Sequence, residues 1–188
     1  MNKLTVAIVM LAITCPSHAF SQNNDDMKAM MAYATPGEVH KMLAKSAGSW
    51  TAAVTMWMGP GAPAQTSTAE STNEMIMGGR YLRSVNKGNM MGMPFEGEGI
   101  TGYDNAKKVF VNSWVDNMGT GIMTMSGPWD AATRSITYTG SMVDPMSGKD
   151  TPFREVWKFV DDDHQVMEMY YPVNGKDFKS MEIKFTRK

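Results

Sequence analysis

From Gly48 onward apolar residues recur at every second position, and turn-forming residues break that pattern roughly every ten to seventeen positions. A period of two is the signature of a strand with one buried face, and it excludes a helical body for most of the chain. Trp50, Ala52, Val54, Met56 and Met58 share one parity and so one face, and Gly59-Pro60-Gly61-Ala62-Pro63 ends that strand. Further strands are expected at 66–77, 80–87, 90–102, 107–117, 119–127, 134–142, 153–160, 165–171 and 178–186. The connections carry turn chemistry: Lys87-Gly88-Asn89, Asp104-Asn105, Asp130-Ala131-Ala132-Thr133, Asp144-Pro145, Asp161-Asp162-Asp163 and Asn174-Gly175. The chain is therefore expected to be all-β, with about ten sequential antiparallel strands. A flat sheet of that size would leave two open edges, and closure into an up-and-down barrel removes them.

One short N-terminal helix precedes the strands. Thr35 is placed to cap it, with Pro36 in the first position and Glu38 completing a capping box. Val39, Met42, Leu43 and Ala47 follow at helical spacing, and Gly48 stops the run. Residues 20–34 are polar and rich in Met and Ala, which reads as a flexible lead-in. Residues 1–19 have the form of a secretory signal: Lys3, an apolar run from Leu4 to Thr14, a break at Pro16, and small residues Ser17 and Ala19 before the expected cut. Ala12, Ile13 and Thr14 before Cys15 match a lipidation signal poorly. The mature chain is expected to start near Phe20, without cysteine, in the periplasm or outside the cell. No later segment is long and apolar enough to span a bilayer as a helix. The barrel domain is expected over 35–188. With 43% hydrophobic and 20% charged residues the chain is neither fibrous nor disordered, and a net charge of −1 leaves no electrostatic footprint for nucleic acid.

Longer motifs carry a resemblance. Met56-Trp57-Met58-Gly59-Pro60-Gly61, Met93-Pro94-Phe95-Glu96-Gly97 and Gly102-Tyr103-Asp104-Asn105 resemble a bacterial family known as a domain of unknown function, DUF1579. So do Trp114-Val115-Asp116-Asn117-Met118-Gly119-Thr120-Gly121 and the closing Met181-Glu182-Ile183. The resemblance covers residues 36–188 and implies a lipocalin-like (calycin) barrel. It implies no reaction and brings no catalytic residues.

Methionine is the compositional outlier, with 21 in 188 residues. Met-x-Met recurs at 56/58, 75/77, 91/93, 123/125 and 167/169, which puts each pair on one face of a strand. Such pairs suit a flexible core or an adaptable apolar pocket. They could also hold Cu(I), which takes thioether ligands, and Met90, Met91 and Met93 around Gly92 form the best local candidate. Trp50 and Trp114 have inward parity, Trp57 has the opposite parity to Trp50 near the end of the same strand, and Trp129 and Trp157 lie on or near other strands. Gly97, Gly99 and Gly102 would let the sheet curl or leave space for a ligand. Phe110, Asn112, Trp114 and Asp116 share a face, so Asp116 is expected to meet Arg80 or Arg154, or to close the turn at Asn117-Met118-Gly119.

Catalytic signals are absent. There is no Gly-x-Ser-x-Gly, no His-Glu-x-x-His and no mature Cys. His40 is expected to be a solvated helix residue and His164 a turn residue beside Asp162 and Asp163, a weak metal signal and a poor haem ligand. Asp144 to Asp150 fits no EF-hand. Glu155 and Glu168, read against Trp157, Met167 and Met169, are placed on an outward, solvated face.

The expected function is a non-catalytic exported binding module. Trp50, Met56, Met58, Met75, Met77, Trp114, Asp116, Met123, Met125, Met167 and Met169 would line a cavity for a small apolar or amphipathic ligand. The alternatives are Cu(I) binding by thioethers and a packed barrel that works through surface protein contacts. No resident cofactor is expected, and no feature specifies an oligomeric state.

Overall fold

The computed structural model describes residues 24–188, and the expected leader, its cleavage point and Cys15 lie outside them. The strands run in chain order: β1 (Gly48–Met56), β2 (Gln65–Ile76), β3 (Tyr81–Met90), β4 (Met93–Asp104), β5 (Val109–Asp116), β6 (Met123–Gly127), β7 (Trp129–Asp130), β8 (Ser135–Asp144), β9 (Lys149–Phe159), β10 (His164–Val173) and β11 (Lys176–Arg187). Each pairs antiparallel with its chain neighbours, apart from the broken stretch of β6 and β7, and β1 pairs with β11 through seven residue pairs from Trp50–Arg187 to Met56–Met181. Pairing of β6 with β8 at Met125–Gly140 and its flanks closes a ten-stranded barrel, with the two-residue β7 beside β8. Gly140 permits that seam, since a Cβ there would lie 2.6 Å from the Thr124 carbonyl oxygen.

The ten barrel strands coincide with the expected ones apart from their ends, and the two-residue β7 is an addition to them. Met90 belongs to β3, because Met91-Gly92 forms the tight turn to β4 with φ values of 51° and 81°. The strand expected at 119–127 starts only at Met123, because Asp116 Oδ1 accepts a hydrogen bond from the Met118 amide at 2.9 Å and turns the chain away.

Two helices precede the barrel, α1 (Asn24–Ala34) and α2 (Glu38–Ala44). The stretch expected as a flexible lead-in is thus helical from Asn24. None of its residues is buried, and its C-terminal carbonyls are gathered by the Asn105 amide, which donates to Tyr33 O and Thr35 O at 3.0 Å. The helix start expected at Thr35 is also displaced. Thr35 closes α1 by donating to Met31 O at 2.6 Å, and Gly37 caps α2 instead. His40, not Glu38, completes that cap, with its Nδ1 accepting from the Gly37 amide at 3.0 Å. His40 is accordingly buried rather than solvated, and desolvation, with Arg80 nearby, lowers its pKa.

α2 closes one end of the barrel. Leu43 is fully buried among Leu82, Phe110, Ile136 and Phe159. Below α2 the Ser46 carbonyl accepts from Trp50 Nε1 at 2.9 Å and from Asn73 Nδ2 at 3.0 Å. Its hydroxyl accepts from Gln165 Nε2 at 2.9 Å, and Gln165 Oε1 accepts from Trp157 Nε1 at 3.0 Å. This buried network is satisfied from strands β1, β2, β9 and β10 at once, which fixes the floor. Among the described residues no helix is long and apolar enough to cross a membrane.

Candidate functional site

Above that floor the barrel encloses a cavity of ≈ 290 Å³, at the small end of small-molecule pockets. Side chains from all ten barrel strands reach it, because inward parity alternates along each strand. Its two sides differ in balance. Strands β2 to β5 supply Ser67, Ser71, Asn73, Ser84, Asn86, Thr101 and Asn112 together with Met90, Phe95 and Trp114. Strands β6 and β8 to β11 are richer in methionine, with Met123, Met125, Met142, Met167, Met169 and Met181, and they also carry the polar Glu155 and Gln165. Met118 and Met142 line the cavity and are still 43% and 38% exposed, so it reaches solvent at the end opposite α2.

Of the expected lining residues, Trp114, Asp116, Met123, Met125, Met167 and Met169 face this space together. Trp114 lies flat over β4, and a Cβ at Gly97 would collide with its ring while one at Gly99 would sit 3.1 Å from it. The glycine series thus makes room for the indole, which also stacks on Phe95 at 6.4 Å between centroids. Trp114 Nε1 donates to Asp116 Oδ2 at 2.7 Å. Asp116 therefore meets its own strand and the Met118 turn, and neither Arg80 nor Arg154: Arg80 donates to Met77 O, and Arg154 pairs with Asp177.

The other expected lining residues lie elsewhere. Trp50 points inward but is fully buried in the floor below the cavity, with the Arg187 guanidinium 4.2 Å over its ring. Met75 packs into the core beside Leu43, and Met56, the last residue of β1, does not reach the cavity. Met58 and Met77 fall beyond their strands and are 66% and 71% exposed. Around the hairpin, Met90 lines the cavity while Met91 and Met93 are exposed, so their sulfurs do not converge. Nor do the residues around His164: its Nδ1 lies 2.9 Å from Asp161, while Asp162 pairs with Lys45 and Asp163 with Arg187. The described residues contain no cluster of His, Cys, Asp or Glu fit for a metal ion.

Glu155 departs from the outward, solvated position expected of it. It does not share an outward face with Glu168, which sits outside in contact with Lys179 and Tyr170. Glu155 has the parity of Phe153, Trp157 and Phe159, lies between Tyr138 of β8 and Met169 of β10, and is only 8% exposed. Burial pushes its carboxyl up to about 7, with no hydrogen bond or cation opposing the shift. Beside it the Tyr138 hydroxyl makes no well-formed hydrogen bond, and burial and the Glu155 charge raise its pKa against a smaller lowering by the nearby Thr101 hydroxyl. Asn112 spends its amide nitrogen on Thr101 Oγ1 at 2.6 Å and leaves its Oδ1 without a partner. Buried polar atoms left open in this way are rare and costly. The shared odd parity of residues 153–159 was the signal that could have found Glu155.

A family model described as "Protein of unknown function (DUF1579)" matches residues 35–187. Among solved structures, Rv2717c from M. tuberculosis is similar in fold, with a TM-score of 0.61 at 12% identity, over 82% of this chain and 99% of that one. No curated protein matches the chain.

Proposed function

We propose, from the premise that this chain belongs to the DUF1579 family, that it is a non-catalytic module holding a small apolar or amphipathic molecule inside its barrel. The observation that supports this reading is a solvent-reaching cavity lined largely by thioethers and aromatic rings, with a few polar groups among them that include an unpartnered Asn112 Oδ1. Unbranched methionines adapt their shape to different guests. Export through the expected leader is part of the proposal, and a mature N-terminus at Phe20 would support it.

The native mass of the protein purified from its own cells tests the reading. An increment that denaturation releases is expected, and its mass identifies the guest. A bare polypeptide, together with unchanged Trp114 and Trp157 fluorescence across lipids, quinones and haem, would overturn it. A second reading, thioether binding of Cu(I), draws support from Tyr171, whose hydroxyl lies 2.9 Å from the Met142 sulfur and 3.1 Å from that of Met169. A mass increment matching copper, lost when Met142 and Met169 are replaced by Leu, would favour it.

A further inference from the structure

The cavity floor has a chemical bias. The acceptors on its lining include Asn112 Oδ1, which has no partner, and the Glu155 carboxyl when ionised; the buried Tyr138 hydroxyl lies behind the lining, next to Glu155. The charged residues on the lining, Asp116 and Glu155, are both acids, and no Lys, Arg or His lines the space. A buried carboxyl without a partner destabilises the empty protein, and a cation brought to it removes that cost. The rings of Trp157 and Tyr171 beside it offer further attraction to a cation.

Resting on the carrier reading, we propose that the cavity selects guests whose buried end is an amine or another hydrogen-bond-donating cation, with Glu155 as its partner, and that it disfavours fatty carboxylates. The guest's apolar part lies against the methionines, and its charged end reaches Glu155 and Asn112. An anion in the same pose meets Glu155 as a like charge and Asn112 Oδ1 as a second acceptor. The groups that titrate around Glu155 are Tyr138 from β8, Tyr171 on β10 and, towards the mouth, Asp116 on β5. Both tyrosines have raised pKa values and stay neutral near pH 7. Amine binding therefore strengthens as pH rises through about 7, where Glu155 ionises, while binding of a neutral alcohol does not change.

The test titrates n-octylamine, n-octanol and n-octanoate, three guests with one tail, into the wild type and E155Q. Trp fluorescence and calorimetry read the affinities. Octylamine is expected to bind at least about tenfold more tightly than octanoate, a difference typical of one buried charge contact. E155Q should lower octylamine affinity by about tenfold and leave octanol within about twofold, which also reports that the variant is folded. Octanoate binding as tightly as octylamine, or an octylamine affinity indifferent to E155Q, overturns this selectivity while octanol binding keeps the carrier reading. Failure of all three to bind either protein removes both. Should E155Q not fold, the wild-type ratio of octylamine to octanoate and its pH dependence decide the matter.

Discussion

The two ends of the barrel are built from the same up-and-down strands and finished in opposite ways. At the α2 end, Leu43, Ser46 and Trp50 are fully buried, and Arg187 ties the floor together by donating to Ala47 O at 2.7 Å and Asp162 O at 3.0 Å. Aspartate-closed turns occur at both ends, with Asp104, Asp130 and Asp161 here and Asp116 and Asp144 at the mouth each accepting from the backbone amide two residues on. The exposed apolar residues at this end are Met30, Met31 and Tyr33 on α1, Met77 and Tyr81 about the β2–β3 turn, and Val160 after β9, and none of them lines the cavity. The mouth instead carries Met58, Met91, Met93, Met118, Ile122 and Met146 on four neighbouring connections, none of them covered. Packing holds the fold at one end, and the other end leaves apolar surface continuous with the cavity.

Truncations at the two ends should separate most sharply. Leu43→Ala opens a hole in a fully packed floor and is expected to cost about 2–5 kcal/mol in denaturant unfolding. Met118→Ala, on the rim, should cost under about 1 kcal/mol. Equal costs would mean that the rim is as well packed as the floor, and the contrast would collapse.

The next effect concerns the cavity between the ends. The Glu155 carboxyl is raised from 4.5 to about 7 in the folded protein, so the folded state holds a proton that the unfolded chain has released. Wild-type stability thus falls as pH rises from about 4.5 to about 7 and stays lowered above that range. E155Q removes the titration. It should be more stable than wild type at pH 8, by up to about 3 kcal/mol, with the gain vanishing near pH 4. Thermal melts at both pH values check this, and a gain that persists at pH 4 would point to packing rather than charge.

These features differ in how far the sequence exposes them. Alternation showed the strands because burial on one face imposes it, and Asn174-Gly175 marked its hairpin because both residues accept left-handed backbone, at φ 51° and 75°. Parity reveals a face and not a depth, so Trp50 and Met125 look alike although one lies in the floor and the other on the cavity. Parity also holds only while a strand continues. β1 ends at Met56 and β2 at Ile76, which leaves Met58 and Met77 outside. Glu155 was legible from its odd-numbered aromatic neighbours. The Ser46 network was not, since its partners come from segments as far apart as Asn73 and Gln165 and no local pattern joins them. The cap of α2 was misread because Thr35 suits two helices equally well, and a packed His40 decided between them.

The smallest effect tests the mouth itself. Ile122 and Met146 are 71% and 92% exposed, so replacing either by Ser removes little buried area. Unfolding free energies should stay within about 0.5 kcal/mol of wild type. If the rim is where an apolar guest first lands, the double variant should slow guest association a few-fold in stopped-flow fluorescence at unchanged dissociation. The reason is that the rim meets the guest before the cavity does and makes no contact with it once it is seated on Glu155. A large loss of stability would instead show that Ile122 and Met146 are held against other parts of the chain. An unchanged association rate would place entry elsewhere, along the β6–β8 seam where only three residue pairs close the wall.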